Sequence, residues 1–76
     1  MDIEEKLIVY TYHSLARMEL RGISKKMVRS ALSYPEETGT GYRDRRLAFK
    51  TFNNNKVKVV YTKEDDKYVV ISVIWE

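Results

Sequence analysis

The sequence predicts a small two-layer α+β domain in the order β-α-α-β-β-β, with two helices packed on one face of an antiparallel sheet. Three features carry this. A β-branched and aromatic run, LIVYTY at Leu7–Tyr12, lies near the start. Two stretches with helical spacing follow, separated by Gly22. Three strand-like runs then fill the second half, joined by turns too short for anything but antiparallel neighbours. The chain has 76 residues and no linker, repeat or low-complexity tract, so one domain over 1–76 is expected.

Taken in order, the first helical pattern begins near His13 and runs to Gly22, where glycine enters the left-handed region without steric cost. Leu15 and Met18 are its expected core contacts. Ser24 suits the N-cap of the second helix, whose Met27, Val28, Ala31 and Leu32 share one face. Tyr34–Pro35 ends it, because the residue before proline is pushed out of the α region. Glu36–Gly41 is expected as a loop. Tyr42–Phe52 reads as a strand, and the asparagines at 53–55 as a turn. Lys56–Thr62 alternates, with Val57, Val59 and Tyr61 on one side. Glu64–Lys67 forms the last turn. Tyr68–Trp75, almost wholly apolar, is expected as an inner strand covered on both faces.

Composition narrows the function classes. With no cysteine there is neither a disulfide nor a thiolate metal site, which fits a reducing, cytoplasmic setting. No run is long enough for a membrane span. One histidine cannot assemble the ligands zinc needs, so no metal or cofactor is expected. The net charge of +3 is mild. Acidic residues gather at Asp2–Glu5, Glu36–Glu37 and Glu64–Asp66, near ends and turns, while basic residues fall within the regular elements. That segregation allows one basic face for phosphate.

His13, Arg17 and Arg21 recur at intervals of four. Residues so spaced on a helix are displaced by only about 40° and form one stripe. For His13 two readings stand: a helix-start histidine bonded to a nearby group, or a proton-transfer residue. For Arg17 and Arg21 the choice lies between a solvated face paired with Glu19 or Glu4–Glu5 and an anion site, since guanidinium bonds phosphate bidentately.

GYRDRRLAFK, Gly41 to Lys50, is the second basic element. The two-residue period of a strand puts Arg43 and Arg45 with Leu47 and Phe49, toward the helices, and Arg46 and Lys50 with Asp44 on the other face. Arg43, Arg46 and Lys50 are candidate phosphate contacts. Tyr42, ahead of the cluster, is the candidate for stacking a base.

HSLARMELRGISKKMVRSALSYPEE, His13 to Glu37, carries a His, an Arg-Met pair, an Arg-Gly-Ile, then an amphipathic segment ending at Pro-Glu. It resembles the pattern of the family named domain of unknown function 4258. VKVVYTKEDDKYVVISV, Val57 to Val73, is similar to that family's closing hairpin, so the likeness covers nearly the whole chain. The family is grouped with the RelE, ParE and BrnT type of toxin fold, and the resemblance implies two helices on a small antiparallel sheet. It also implies a metal-independent endoribonuclease in a toxin–antitoxin pair, with a small antitoxin protein as partner. His13, Arg17 and Arg21 would be the family's characteristic polar residues. RelE-type toxins rely on basic residues and a tyrosine in the last strands, whereas YVVISVIWE carries no arginine or lysine.

The functional expectation is thus a toxin-like RNA-binding protein with the residues for metal-independent cleavage. The ribose 2′-OH would attack the adjacent phosphorus, with His13 as general base or acid. Arg17, Arg21 and Arg45 would neutralise the phosphate in the transition state. The rival is a non-catalytic interaction module that binds a protein partner or itself, a monomer or a homodimer through an exposed strand edge.

Overall fold

Five strands and two helices build the chain in the computed structural model, which describes residues 2–76. After a 3-10 turn at Glu5–Leu7 come β1 (Ile8–Tyr10), α1 (Tyr12–Arg21), α2 (Lys25–Ser33), β2 (Glu37–Thr40), β3 (Arg46–Phe52), β4 (Asn55–Glu64) and β5 (Lys67–Trp75). The sheet order is β1-β5-β4-β3-β2. Neighbours from β2 to β5 are antiparallel, while β1 lies parallel to β5, Ile8 opposite Tyr68 and Tyr10 opposite Val70. The two-layer α+β architecture is as the sequence predicts, with a mixed sheet and one strand more.

The additional strand is β2, within the segment expected as a loop. Glu37–Thr40 pairs with Phe49–Arg46. Thr38 and Thr40 are β-branched and suit an extended backbone. Pairing also satisfies groups on β3 that would otherwise form a bare edge.

Local chemistry sets the helix ends. The Thr11 hydroxyl accepts from the Ser14 N–H at 3.1 Å and donates to the Val70 carbonyl at 2.9 Å, so α1 starts one residue before His13 and is tied to β5 at once. Gly22 ends α1 at φ 67°, ψ 32°. Ser24 caps α2 by accepting from the Met27 N–H at 3.1 Å. Asn53 and Asn54, both left-handed, make the β3–β4 turn, and Asp65 the next.

A single apolar layer lies between helices and sheet. Val57, Val59, Val70 and Val73 are fully buried, with Ala48 and Ile8 beside them and Met18, Val28, Ala31 and Leu32 above. Burying each valine or leucine side chain contributes about 1.5–3 kcal/mol. On α1 the inward residues are Ser14 and Met18, whereas Leu15 is exposed. Ser14 tolerates burial because its hydroxyl donates to the Thr11 carbonyl at 2.8 Å.

Two face assignments differ from the sequence reading. In β3 it is Ala48, opposite Val59, that enters the core, and Arg46 and Lys50 lie on its side. The Lys50 ammonium donates to the Tyr34 carbonyl at the end of α2, at 2.9 Å. Arg45, Leu47 and Phe49 belong to the opposite face. The reason is steric: α2 packs over β3 and β4, and at that contact a methyl side chain fits where leucine or phenylalanine would hold the layers apart. In β5 the apolar run is internal in pairing, but helices cover only one of its faces. Val69, Ile71 and Ile74 point to the other. A register shift beside Val60 and Tyr61, with Val60 opposite Ser72 and Tyr61 opposite Val70, inserts Ile71 as an extra residue. Among the described residues, no helix is long and apolar enough to cross a membrane.

Candidate nucleic-acid interface

On α1, the Arg17 Nε–H donates to Nε2 of His13 at 3.4 Å, joining the first two members of the stripe at the surface. The third member behaves differently. Arg21 Nη1 donates to the Val73 carbonyl at 2.9 Å, and the Arg21 carbonyl accepts the Trp75 indole N–H at 2.8 Å. β1 has only three residues, so the outer edge of β5 beyond Val70 has no strand neighbour. Arg21 supplies there the donor that a longer β1 would have given. Of the acids expected as partners, Glu4 pairs with Lys6 at 3.3 Å and Glu5 accepts from the Tyr10 hydroxyl at 3.0 Å. Among the described residues, no arginine takes part in an ion pair.

The second group lies on the Gly41–Arg45 loop. Residues 42–44, expected at the start of a strand, form a 3-10 turn, and the strand begins at Arg46. The Gly41 N–H donates to the Arg45 carbonyl at 2.6 Å and the Arg45 N–H to the Tyr42 carbonyl at 3.3 Å. Arg43 and Asp44 are both left-handed, with φ of 59° and 63°. For side chains with a Cβ this costs about 1–2 kcal/mol per residue. The turn throws Tyr42 outward, 81% exposed, with the Arg43 guanidinium 5.7 Å from its ring centre. Behind it opens a hollow of about 530 Å³ lined by Thr40, Gly41, Asp44, Arg45 and Arg46. Arg46 also borders Tyr61: burial pushes that phenol above its ordinary pKa, and the guanidinium beside it acts in the opposite direction.

Arg45 and Arg46 therefore line one hollow, with Tyr42 and Arg43 on the adjoining turn, while His13 and Arg17 lie apart on α1. α1 packs on β5, while the loop leads into β3, two strand spacings or about 10 Å across the sheet. Arg21 and Lys50 are held by backbone carbonyls. Sequence reasoning did not find Thr40 or Asp44 as part of the hollow: Thr40 comes opposite Arg46 only through β2 pairing, and Asp44, between Arg43 and Arg45 in the chain, is turned into the hollow by the left-handed turn rather than along a strand face. A smaller hollow of about 200 Å³, lined in part by Asp2, Lys26, Arg29 and Tyr34, lies along α2. Its walls fasten the leading segment: Arg29 Nε donates to the Ile3 carbonyl at 2.7 Å, and the Ile3 N–H to the Ser33 hydroxyl at 3.0 Å. A hydrogen bond to Asp2 raises the Tyr34 pKa. No three His, Asp or Glu side chains cluster among the described residues in a way that would hold a metal ion.

The family model described as a domain of unknown function (DUF4258) matches residues 10–75. The chain belongs to the DUF4258 family. No curated protein matches it, and no solved structure does. The DUF4258 match takes in both helices, β2 to β5, the His13–Arg17 pair and the arginine loop.

Proposed function

We propose that this DUF4258 domain is a toxin-like RNA-binding protein that holds single-stranded RNA at the Gly41–Arg46 loop. The observation that carries the reading is an exposed tyrosine with the Arg43 guanidinium against its ring, on the turn next to an open hollow that Arg45 and Arg46 line. Tyr42 offers a flat face on which a base can stack. Arg43 and Arg45, fully charged and planar, suit phosphate oxygens. Asp44 in the same hollow is an acceptor, suited to a ribose 2′-OH or a base amino group rather than to phosphate. A small antitoxin protein is the partner this reading implies.

Cleavage is the further step, and His13 with Arg17 is its candidate pair. The contact holds the imidazole and the guanidinium side by side at the surface, within reach of one phosphodiester. Arg17 could then neutralise the phosphate that the 2′-OH attacks. In this reading Arg21 supports the position of α1 rather than touching RNA.

The test is fluorescence anisotropy with a labelled single-stranded RNA, titrated at several salt concentrations. Arg43→Ala with Arg45→Ala should lower the slope of log affinity against log salt by about 1.4, near 0.7 for each lost phosphate contact. Tyr42→Ala should weaken binding by about 1–3 kcal/mol at every salt concentration. Binding that is absent, or indifferent to all three substitutions, removes the proposal. His13→Ala should reduce cleavage while leaving affinity in place, and equal loss of both would deny it a chemical role.

A further inference from the structure

The face of the sheet turned away from the helices is uncovered; it is mostly apolar on β3 and β5, and on the central β4 Val60 lies between Lys58 and Thr62. Phe49, Lys58 and Ile74 lie side by side on it, followed by Leu47, Val60 and Ser72, with Val69 and Ile71 beyond. Val9, 43% exposed, extends it onto β1. At Gly39 a Cβ would sit 3.6 Å from Leu47 and 4.0 Å from Phe49, so these two side chains lie over the glycine and β2 adds no bulk. Each strand alternates between this face and the core, where Val57, Val59, Val70 and Val73 are fully buried. The outward set remains partly exposed on every strand. Both helices lie on the opposite side, so among the described residues no helix closes over it.

We infer that this face is a self-association surface, on which two copies pack sheet against sheet into a dimer with the helices outermost. Two observations select a second copy as the occupant. The first is size. Five strands about 4.8 Å apart, and about seven residues of about 3.3 Å, give a patch near 24 by 23 Å. Its projection is about 550 Å², and the accessible surface of side chains standing on it is larger. That projection approaches the roughly 600 Å² per partner at the lower end of a stable interface.

The second observation is charge. The margins carry Lys56, Lys67 and Arg45 against Glu37, Glu64 and Glu76, and Lys58 lies between Phe49 and Ile74. Two of these cations are already paired, Lys56 with Glu37 at 3.4 Å and Lys58 with Glu76 at 3.5 Å. A polyanion or an acidic peptide would call for an uncompensated positive field, which this face lacks. A face of apolar side chains with charges of both signs at its margins is complementary to itself under a two-fold axis, and Lys58 can lay its apolar stem along that face while its ammonium stays with Glu76. Aligned sheets pack about 10 Å apart, a separation that Leu, Ile, Val and Phe side chains from two faces fill. Of the residues in the RNA reading only Arg45 borders this face, so substitutions at Val60 and Ile74 test the dimer separately from that reading.

Sedimentation equilibrium of the full chain, from low to high micromolar, tests it. The expected mass is twice 9.0 kDa, with little change when salt is raised. Val60→Lys and Ile74→Glu should each return the mass to 9.0 kDa while the far-ultraviolet circular dichroism is kept. Leu20→Lys, at an exposed apolar position on α1, should leave the dimer intact. A monomer throughout the concentration range overturns the inference, as does a dimer broken by Leu20→Lys alone. Should the sheet-face variants misfold, Ser72→Cys gives a single thiol in a chain without cysteine. Its spin-labelled form should show dipolar coupling that disappears on dilution with unlabelled chain, and absence of coupling refutes the dimer.

Discussion

Arg21→Met separates a latch from a ligand. Methionine keeps an unbranched apolar stem but removes the guanidinium that donates to the Val73 carbonyl at 2.9 Å. A hydrogen bond from a charged donor contributes about 1.5–3 kcal/mol, and the carbonyl loses its partner at a half-covered strand edge. Arg21 is itself only half-buried, so the lower part of that range applies, with a small loss of packing along the stem. The expected destabilisation is about 2 kcal/mol. In a domain of this size each kcal/mol moves Tm by about 4–8 °C, so a fall of roughly 8–16 °C should follow. Urea unfolding read through Trp75, the sole tryptophan, is a well-placed assay, because its indole donates to the Arg21 carbonyl. The midpoint should drop with the m-value unchanged. Arg17→Met, which loses only a surface contact to His13, should stay within about 0.5 kcal/mol of the parent. If the two variants unfold alike, Arg21 is not a latch and the account of the β5 edge is wrong.

Other outcomes follow from the same geometry. Thr11→Ala removes the α1 cap and the bond to Val70 together, and should cost about 1–2 kcal/mol by urea midpoint. Gly22→Ala meets open space, since no atom lies within 4 Å of the added Cβ, so only the left-handed strain remains. A loss of about 1 kcal/mol is expected, and a much larger one would reveal a clash that the coordinates exclude. Tyr10 has a pKa raised from 10.0, chiefly by burial and further by its bond to Glu5. Below pH 10 its contribution to stability is complete. As pH rises past 10 the unfolded chain releases the phenol proton while the folded chain keeps it, so stability falls. Tyr10→Phe should flatten that alkaline decline in urea midpoints, and an unchanged slope would show that Tyr10 does not contribute to it.

Local features of this fold are readable from the sequence because their causes are local. Ser24 caps its own helix, Gly22 supplies its own left-handed turn, and Asn53 and Asn54 make their own hairpin. The face of β3 is not readable in the same way. RLAFK alternates equally well in either sense, and hydrophobicity favours Leu47 and Phe49 for the core. What decides for Ala48 is the close approach of α2, a tertiary fact. Parallel pairing of β1 with β5 and the recruitment of Glu37–Thr40 are likewise set by partners distant in the chain. In the candidate site, the spacing of His13 and Arg17 foretells their contact. Nothing in the spacing foretells Arg21, whose partner exists only because β1 is too short to cover β5. The arginine loop is half legible: its charges and Tyr42 stand out, but neither Arg43 nor Asp44 announces a left-handed backbone.

The place of β5 in the sheet governs the order in which the fold can assemble. It is the fifth strand in chain order, yet it sits between β1 and β4 and receives the anchor points of α1. The β2–β3–β4 meander can zip through short turns, but β1 and α1 have no docking partner until residues some 60 positions downstream arrive. Closing so long a loop slows the search, and a strand inserted late between existing edges is a demanding final step. On a ribosome, the leading strand and first helix would therefore wait unsupported until Lys67–Trp75 cleared the exit tunnel. Their Ile8, Val9, Tyr10 and Tyr12 side chains would meanwhile be open to chaperones.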